Sequence, residues 1–126
     1  MDRDDSYHAH AVGVVERLRA ARRRLITTKY VVYETHAGVL AAAGREAARQ
    51  FLSDLAHSST RLARVTGDDE VLARNIVFRF QDKDYSLCDA ASFAVMERLG
   101  ITIAFTYDDH FRQYGFSTPL DYDGWP

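Results

Sequence analysis

KDYSLCDAASFAVMERLGITIAFTYDDHF, residues 83–111, holds the alternation that decides the fold. A helix is expected to start near Ser86 and to stop at Gly100, the residue type that most easily leaves a helix. Residues 101–105, ITIAF, read as a buried strand, and 108–114 as a short helix after it. Working outward, Phe116-Ser117-Thr118 reads as a last strand before a Trp-containing tail. Upstream, residues 68–80 are helical, and QDKDY is the polar break between that helix and the one near Ser86. Arg61 to Val65 alternates like a strand. Two helices, 30–43 and 45–56, separated by Gly44, follow a short strand at Leu25-Ile26-Thr27-Thr28, with Ala48, Phe51, Leu52 and Leu55 inward on the second. A helix capped by Asp5 or Ser6 and running to about Arg23 begins the chain, with Ala11, Val14, Val15 and Leu18 as its apolar stripe. Strands separated by helices predict an α/β domain with a parallel sheet and helices on both faces.

The chain has 126 residues, 47% apolar, enough for one core and too few for two ordinary domains. One cysteine, Cys88, excludes an intramolecular disulfide framework and fits a reducing compartment, so the chain is read as cytoplasmic. No secretory h-region or membrane-length apolar run is present, and no membrane partner is expected. The net charge of −2 leaves nucleic-acid binding to a local basic surface. Arg17, Arg19, Arg22, Arg23 and Arg24 form one such cluster, read either as a solvated helix end whose cations complement the helix dipole or as a strip that neutralises RNA phosphates.

In open parallel sheets, functional groups gather beyond the carboxyl ends of the strands. Asp108 follows the 101–105 strand and so should emerge at that edge, as a metal ligand or as the N-cap of the next helix. Asp109 beside it could cap equally well. Asp89 belongs to Ser86-Leu87-Cys88-Asp89, which fits a capping box, while the small residues Ala90, Ala91 and Ser92 would let a cation and a phosphate approach closely. Glu34 lies in an apolar run beside Val31, Gly38 and Ala41. It sits at an exposed helix edge or is aimed into a cleft, because a buried unpaired carboxylate is costly. Three carboxylates without histidines at zinc spacing suit Mg2+ or Mn2+ and point to metal-assisted phosphodiester hydrolysis. His36, His57 and His110 share no metal spacing. Cys88 reads as a buried small residue, and Tyr30, Tyr33, Phe93 and Met96 as core or partner-facing side chains.

TTKYVVYETHAGV, DKDYSLCDAASFAVMERLGI and AFTYDDHFRQYGF together resemble the PIN-domain ribonucleases, in particular the VapC-type toxins of prokaryotic toxin–antitoxin pairs. The resemblance implies a three-layer α/β/α, Rossmann-like PIN fold over the whole chain, divalent-metal dependence, RNA cleavage, an antitoxin partner and a homodimer. It places Glu34, Asp89 and Asp108 at the family's metal-binding acids. Asp84 matches a frequently acidic position near the site and is a further metal candidate. Arg22, Arg23 and Arg24 are the RNA-binding candidates.

The resemblance begins only at DRDDSYHAHA, whereas family members open with a strand that ends in an aspartate. The expectation is therefore a PIN-like domain, residues 1–126, that lacks its first central strand and one metal-binding acid. Without that strand two inner sheet edges would be unpaired, which predicts a weakened monomer unless another segment fills the gap. The same lack leaves a second reading open, a catalytically inactive PIN-like module that binds RNA or protein, or an inactive truncated fragment.

Overall fold

β-Branched residues pack well in extended chain and lose rotamer freedom in helices, which favours a strand at Ile26-Thr27-Thr28. In the computed structural model of the chain this stretch supplies β1, Ile26–Thr27. The structure describes residues 24–106 and 108–118. The predicted first helix lies outside the described residues, as do Arg17, Arg19, Arg22 and Arg23. Thr28 turns the chain from strand to helix. Its backbone is extended, and its hydroxyl accepts from the Val31 N–H at 3.3 Å, capping α1, Lys29–Ala43. Gly44, where the sequence predicts a stop, separates α1 from α2, Arg45–His57.

α2 leads to β2, Arg61–Leu62, which runs parallel to β1 with Ile26 opposite Arg61 and Thr27 opposite Leu62. The Arg61 N–H donates to the Leu25 carbonyl at 2.9 Å and the Ala63 N–H to the Thr27 carbonyl at 2.7 Å. The strand expected over residues 61–65 is shorter than that because its partner turns into helix after Thr28, leaving nothing further to pair with. The parallel sheet described here has these two strands alone, so each pairs along one edge.

Thr66 opens α3, Gly67–Arg79, with a capping box that the sequence reading missed. The Thr66 N–H donates to Asp69 Oδ2 at 2.9 Å, and the Asp69 N–H returns a bond to Thr66 Oγ1 at 3.1 Å. α4, Leu87–Leu99, is the central helix, with Ala90 to Val95 all buried. Phe93 and Ile76 are fully buried, and Tyr85 packs edge-on to Phe93 at 5.1 Å and to Phe80 at 5.7 Å. Of the inward residues expected on α2, Ala48 is buried, whereas Leu52 is 43% exposed. Tyr33 on α1 is likewise exposed.

The chain divides into two compact units, Leu25–Val95 and Met1–Arg24 with Met96–Pro126, the boundary falling inside α4. In the second unit Gly100 ends α4 at φ +69, a region that side chains with a Cβ rarely adopt. The Gly100 N–H reaches the Glu97 carbonyl at 3.2 Å and the Ile101 N–H the Met96 carbonyl at 2.9 Å. Residues 101–105 correct the expectation of a buried strand. They make a single parallel bridge, Ile103 to Ser117, with Thr102 and Phe105 exposed and Ala104 alone buried. The bridge is held by Ala104 N–H to the Ser117 carbonyl at 2.8 Å and Ser117 N–H to the Thr102 carbonyl at 2.9 Å. One bridge with no described partner on the opposite edge does not extend into a ladder, and the same holds for the strand expected at residues 116–118. Between the bridged residues lies α5, Asp109–Tyr114, whose Phe111 and Tyr114 rings pack against Phe116.

Candidate active site

Two of the predicted acids lie in the unit Leu25–Val95, one on α1 and one on α4. Glu34 is exposed on α1, so it lies at a helix edge where water solvates it, not in a closed cleft. Its carboxylate accepts the thiol of Cys88, in the first turn of α4. Asp89 follows directly and closes the capping box expected from the sequence. The Ser86 N–H donates to Asp89 Oδ2 at 3.2 Å, and the Asp89 N–H donates to Ser86 Oγ at 3.0 Å. The position at the N-terminal end of α4 also favours its negative charge.

Cys88 senses both acids. Its thiol is pushed up to about 12, first by burial, then by the charge of Glu34 and the hydrogen bond to it, and last by the charge of Asp89. Two carboxylates carried by different helices therefore converge on one side chain. At neutral pH the thiol keeps its proton and is not a nucleophile. The remaining donors are carboxylate oxygens, the type that hard divalent cations prefer.

Asp84 is exposed in the loop before α4 and has no ion-pair or hydrogen-bond partner among the described residues. Asp108 lies in the other unit and acts as the N-cap of α5: its Oδ1 accepts the His110 N–H at 2.9 Å and lies 3.2 Å from His110 Nδ1. Its own N–H donates to Thr106 Oγ1 at 3.0 Å. The alternative in which Asp109 takes over the cap does not hold, because Asp109 is instead ion-paired with Arg112 one turn on. Within its own unit each acid has a local role: Glu34 and Asp89 both raise the Cys88 thiol, and Asp108 caps a helix start. Arg24 is the one member of the basic cluster among the described residues, and it is exposed. Among the described residues no helix is long and apolar enough to cross a membrane.

The model of the PIN domain matches residues 1–117. The chain belongs to the PIN-domain family. Within that family it is similar to VapC20, the 23S rRNA-specific endonuclease of two Mycobacterium tuberculosis strains, with 32% identity over 105 residues, 82% of this chain and 80% of the relative. The solved structure of M. tuberculosis VapC20, described as a sarcin–ricin loop cleaving toxin, superposes with a TM-score of 0.72 at 32% identity, covering 82% of this chain and 81% of that one. The α/β fold class read from the sequence is therefore the PIN fold, and the likeness within it is to the VapC toxins.

Two features of this PIN domain escaped the sequence reading. One is the Glu34–Cys88 contact. The other is a pocket next to it, lined by Tyr30, Glu70, Ala73, Arg74, Leu87, Cys88 and Ala91. Helical spacing within α1, α3 or α4 could not reveal either, since each joins different helices.

Proposed function

We propose that this PIN-domain chain is a Mg2+- or Mn2+-dependent endoribonuclease and the toxin of a toxin–antitoxin pair. The observation that carries the reading is the PIN-domain match over residues 1–117, in a chain that sets two hard oxygen donors, Glu34 on α1 and Asp89 at the start of α4, within one unit. These residues fit a divalent cation. Glu34 and Asp89 would hold it, and Asp108 is assigned to the same role on the family pattern of residues 106–111, with Asp84 as a further ligand. When bound, such a cation polarises a phosphodiester and steadies the leaving oxygen. The chain's own contribution is positional. The Ser86–Asp89 capping box fixes the backbone from which the Asp89 carboxylate projects, and Cys88 holds one side of Glu34.

By analogy with VapC20, the substrate proposed is 23S rRNA, with an antitoxin protein as partner and a homodimer as the assembled state. Arg22, Arg23 and Arg24 are proposed to neutralise RNA phosphates. A second reading, an inactive RNA- or protein-binding module, is favoured by the capping roles of Asp89 and Asp108, which give both acids a structural reason to be present. Incubating the purified chain with 23S rRNA and mapping breaks by primer extension separates the two. Cleavage at defined positions in Mg2+ supports the nuclease, and RNA that is bound but intact supports the module.

A further inference from the structure

Beside the Glu34–Asp89 pair lies a cavity of about 320 Å³, formed by α1, α3 and α4 within the unit Leu25–Val95. That volume falls at the small end of ligand pockets. Ala73 and Ala91, both buried, make its floor, and their small side chains give it depth. Leu87, 56% exposed, and Tyr30 form apolar walls. The polar groups lie at the rim. The Tyr30 hydroxyl donates to Glu70 Oε1 at 2.7 Å, which fixes that carboxylate, and Glu70 Oε2 accepts from no other group among the described residues. Arg74, one turn further along α3, is exposed and has no ion-pair partner among the described residues. Cys88 is shared between this cavity and the acid pair, so the two adjoin.

A mainly apolar cavity with an oriented carboxylate acceptor and an unpaired guanidinium at its rim matches one kind of occupant well, a nucleobase followed by its phosphate. We propose that this cavity binds a base of the RNA strand next to the bond that is cut, with Glu70 accepting from an exocyclic amino group and Arg74 meeting the adjoining phosphate. The proposal rests on the ribonuclease reading for its substrate. It goes beyond that reading by making Tyr30, Glu70 and Arg74 determinants of which base is accepted. Adenine, cytosine and guanine carry an exocyclic amino group and uracil does not, so the pocket discriminates against uracil.

The test uses the full chain and the four nucleoside 5′-monophosphates, followed by 15N-resolved NMR, together with sequencing of the ends left by RNA cleavage. AMP, CMP or GMP should shift the amide signals of Tyr30, Leu87 and Ala91 at concentrations where UMP does not. Glu70→Gln should erase that preference, and Arg74→Ala should weaken the favoured nucleotide by about tenfold and lower the salt dependence of RNA binding by about one phosphate contact. Both residues are exposed, and unchanged thermal melting shows that the variants fold. If no nucleotide moves these signals, or if an apolar peptide moves them instead, the proposal is overturned. A wild-type chain that cuts RNA at positions unaltered by either variant overturns the pocket while the ribonuclease reading stands. A chain whose pocket takes nucleotides but which cuts no RNA supports the pocket and overturns the nuclease.

Discussion

Replacing Asp89 by Asn and, separately, Ser86 by Ala separates the structural from the metal-binding work of one helix start. Asp89 donates its backbone N–H to Ser86 Oγ at 3.0 Å, and its Oδ2 accepts the Ser86 N–H at 3.2 Å. Asn keeps an oxygen for the Ser86 N–H and removes the charge. Its cost is the lost interaction with the helix dipole, roughly 0.3–1 kcal/mol. Ser86→Ala removes the hydroxyl cap outright, at roughly 0.5–2 kcal/mol. With a melting-temperature change of very roughly 2–8 °C per kcal/mol for domains near this size, Ser86→Ala is the more destabilising change in EDTA. Magnesium should reverse the order. A ligand that binds only the folded chain adds about 1.4 kcal/mol for each tenfold excess over its dissociation constant, so Mg2+ should raise the melting temperature of Ser86→Ala as it does wild type, but not that of Asp89→Asn. Thermal melts in EDTA and across a Mg2+ titration read both effects. An equal Mg2+ shift in wild type and Asp89→Asn would refute the assignment of Asp89 as a metal-binding acid.

Phe93→Ala empties a fully buried ring site against Tyr85 and should cost about 3–5 kcal/mol, read by urea denaturation. Gly100→Ala forces a Cβ onto φ +69 and should cost about 1 kcal/mol by the same assay, although nothing crowds the position. Because the Cys88 thiol is raised from 9.0 to about 12, the unfolded chain loses this proton at lower pH than the folded one, so stability present below about pH 9 declines as pH rises toward 12. Cys88→Ala should flatten that decline in alkaline melts. At pH 8.5 wild-type Cys88 should label with iodoacetamide far more slowly than a free cysteine.

Much of the local structure was legible because it is written in neighbouring residues. Gly44 bounds α1 where a stop was expected, Gly100 ends α4, and Ser86 with Asp89 forms the capping box that their spacing specified, whereas Thr28, read as the end of a strand, caps α1. The Thr66–Asp69 box carries the same kind of signal, with Asp in place of the more usual Glu, yet only the helix after it was read. Where pairing decides, local reading failed. ITIAF has every property of a buried strand, yet a ladder needs a partner strand that continues alongside it, and residues 101–105 find one bridge to Ser117. The site divides in the same way. That Glu34 and Asp89 belong together followed from their resemblance to PIN-domain motifs. That they meet at Cys88, beside a pocket that Tyr30 and Glu70 close with a hydrogen bond across three helices' worth of sequence, depends on packing that no single-helix periodicity encodes.

The most direct test of the ribonuclease account is the rate of RNA cleavage by the purified chain as Mg2+ is added back after EDTA, run in parallel for Glu34→Gln and Asp89→Asn. The account predicts no cutting in EDTA, recovery with Mg2+, and a loss of at least about a hundredfold in each variant, comparable to removing several kcal/mol of transition-state charge stabilisation. Cleavage that persists in EDTA, variants that cut as wild type does, or a folded chain that binds RNA and leaves it intact would contradict it.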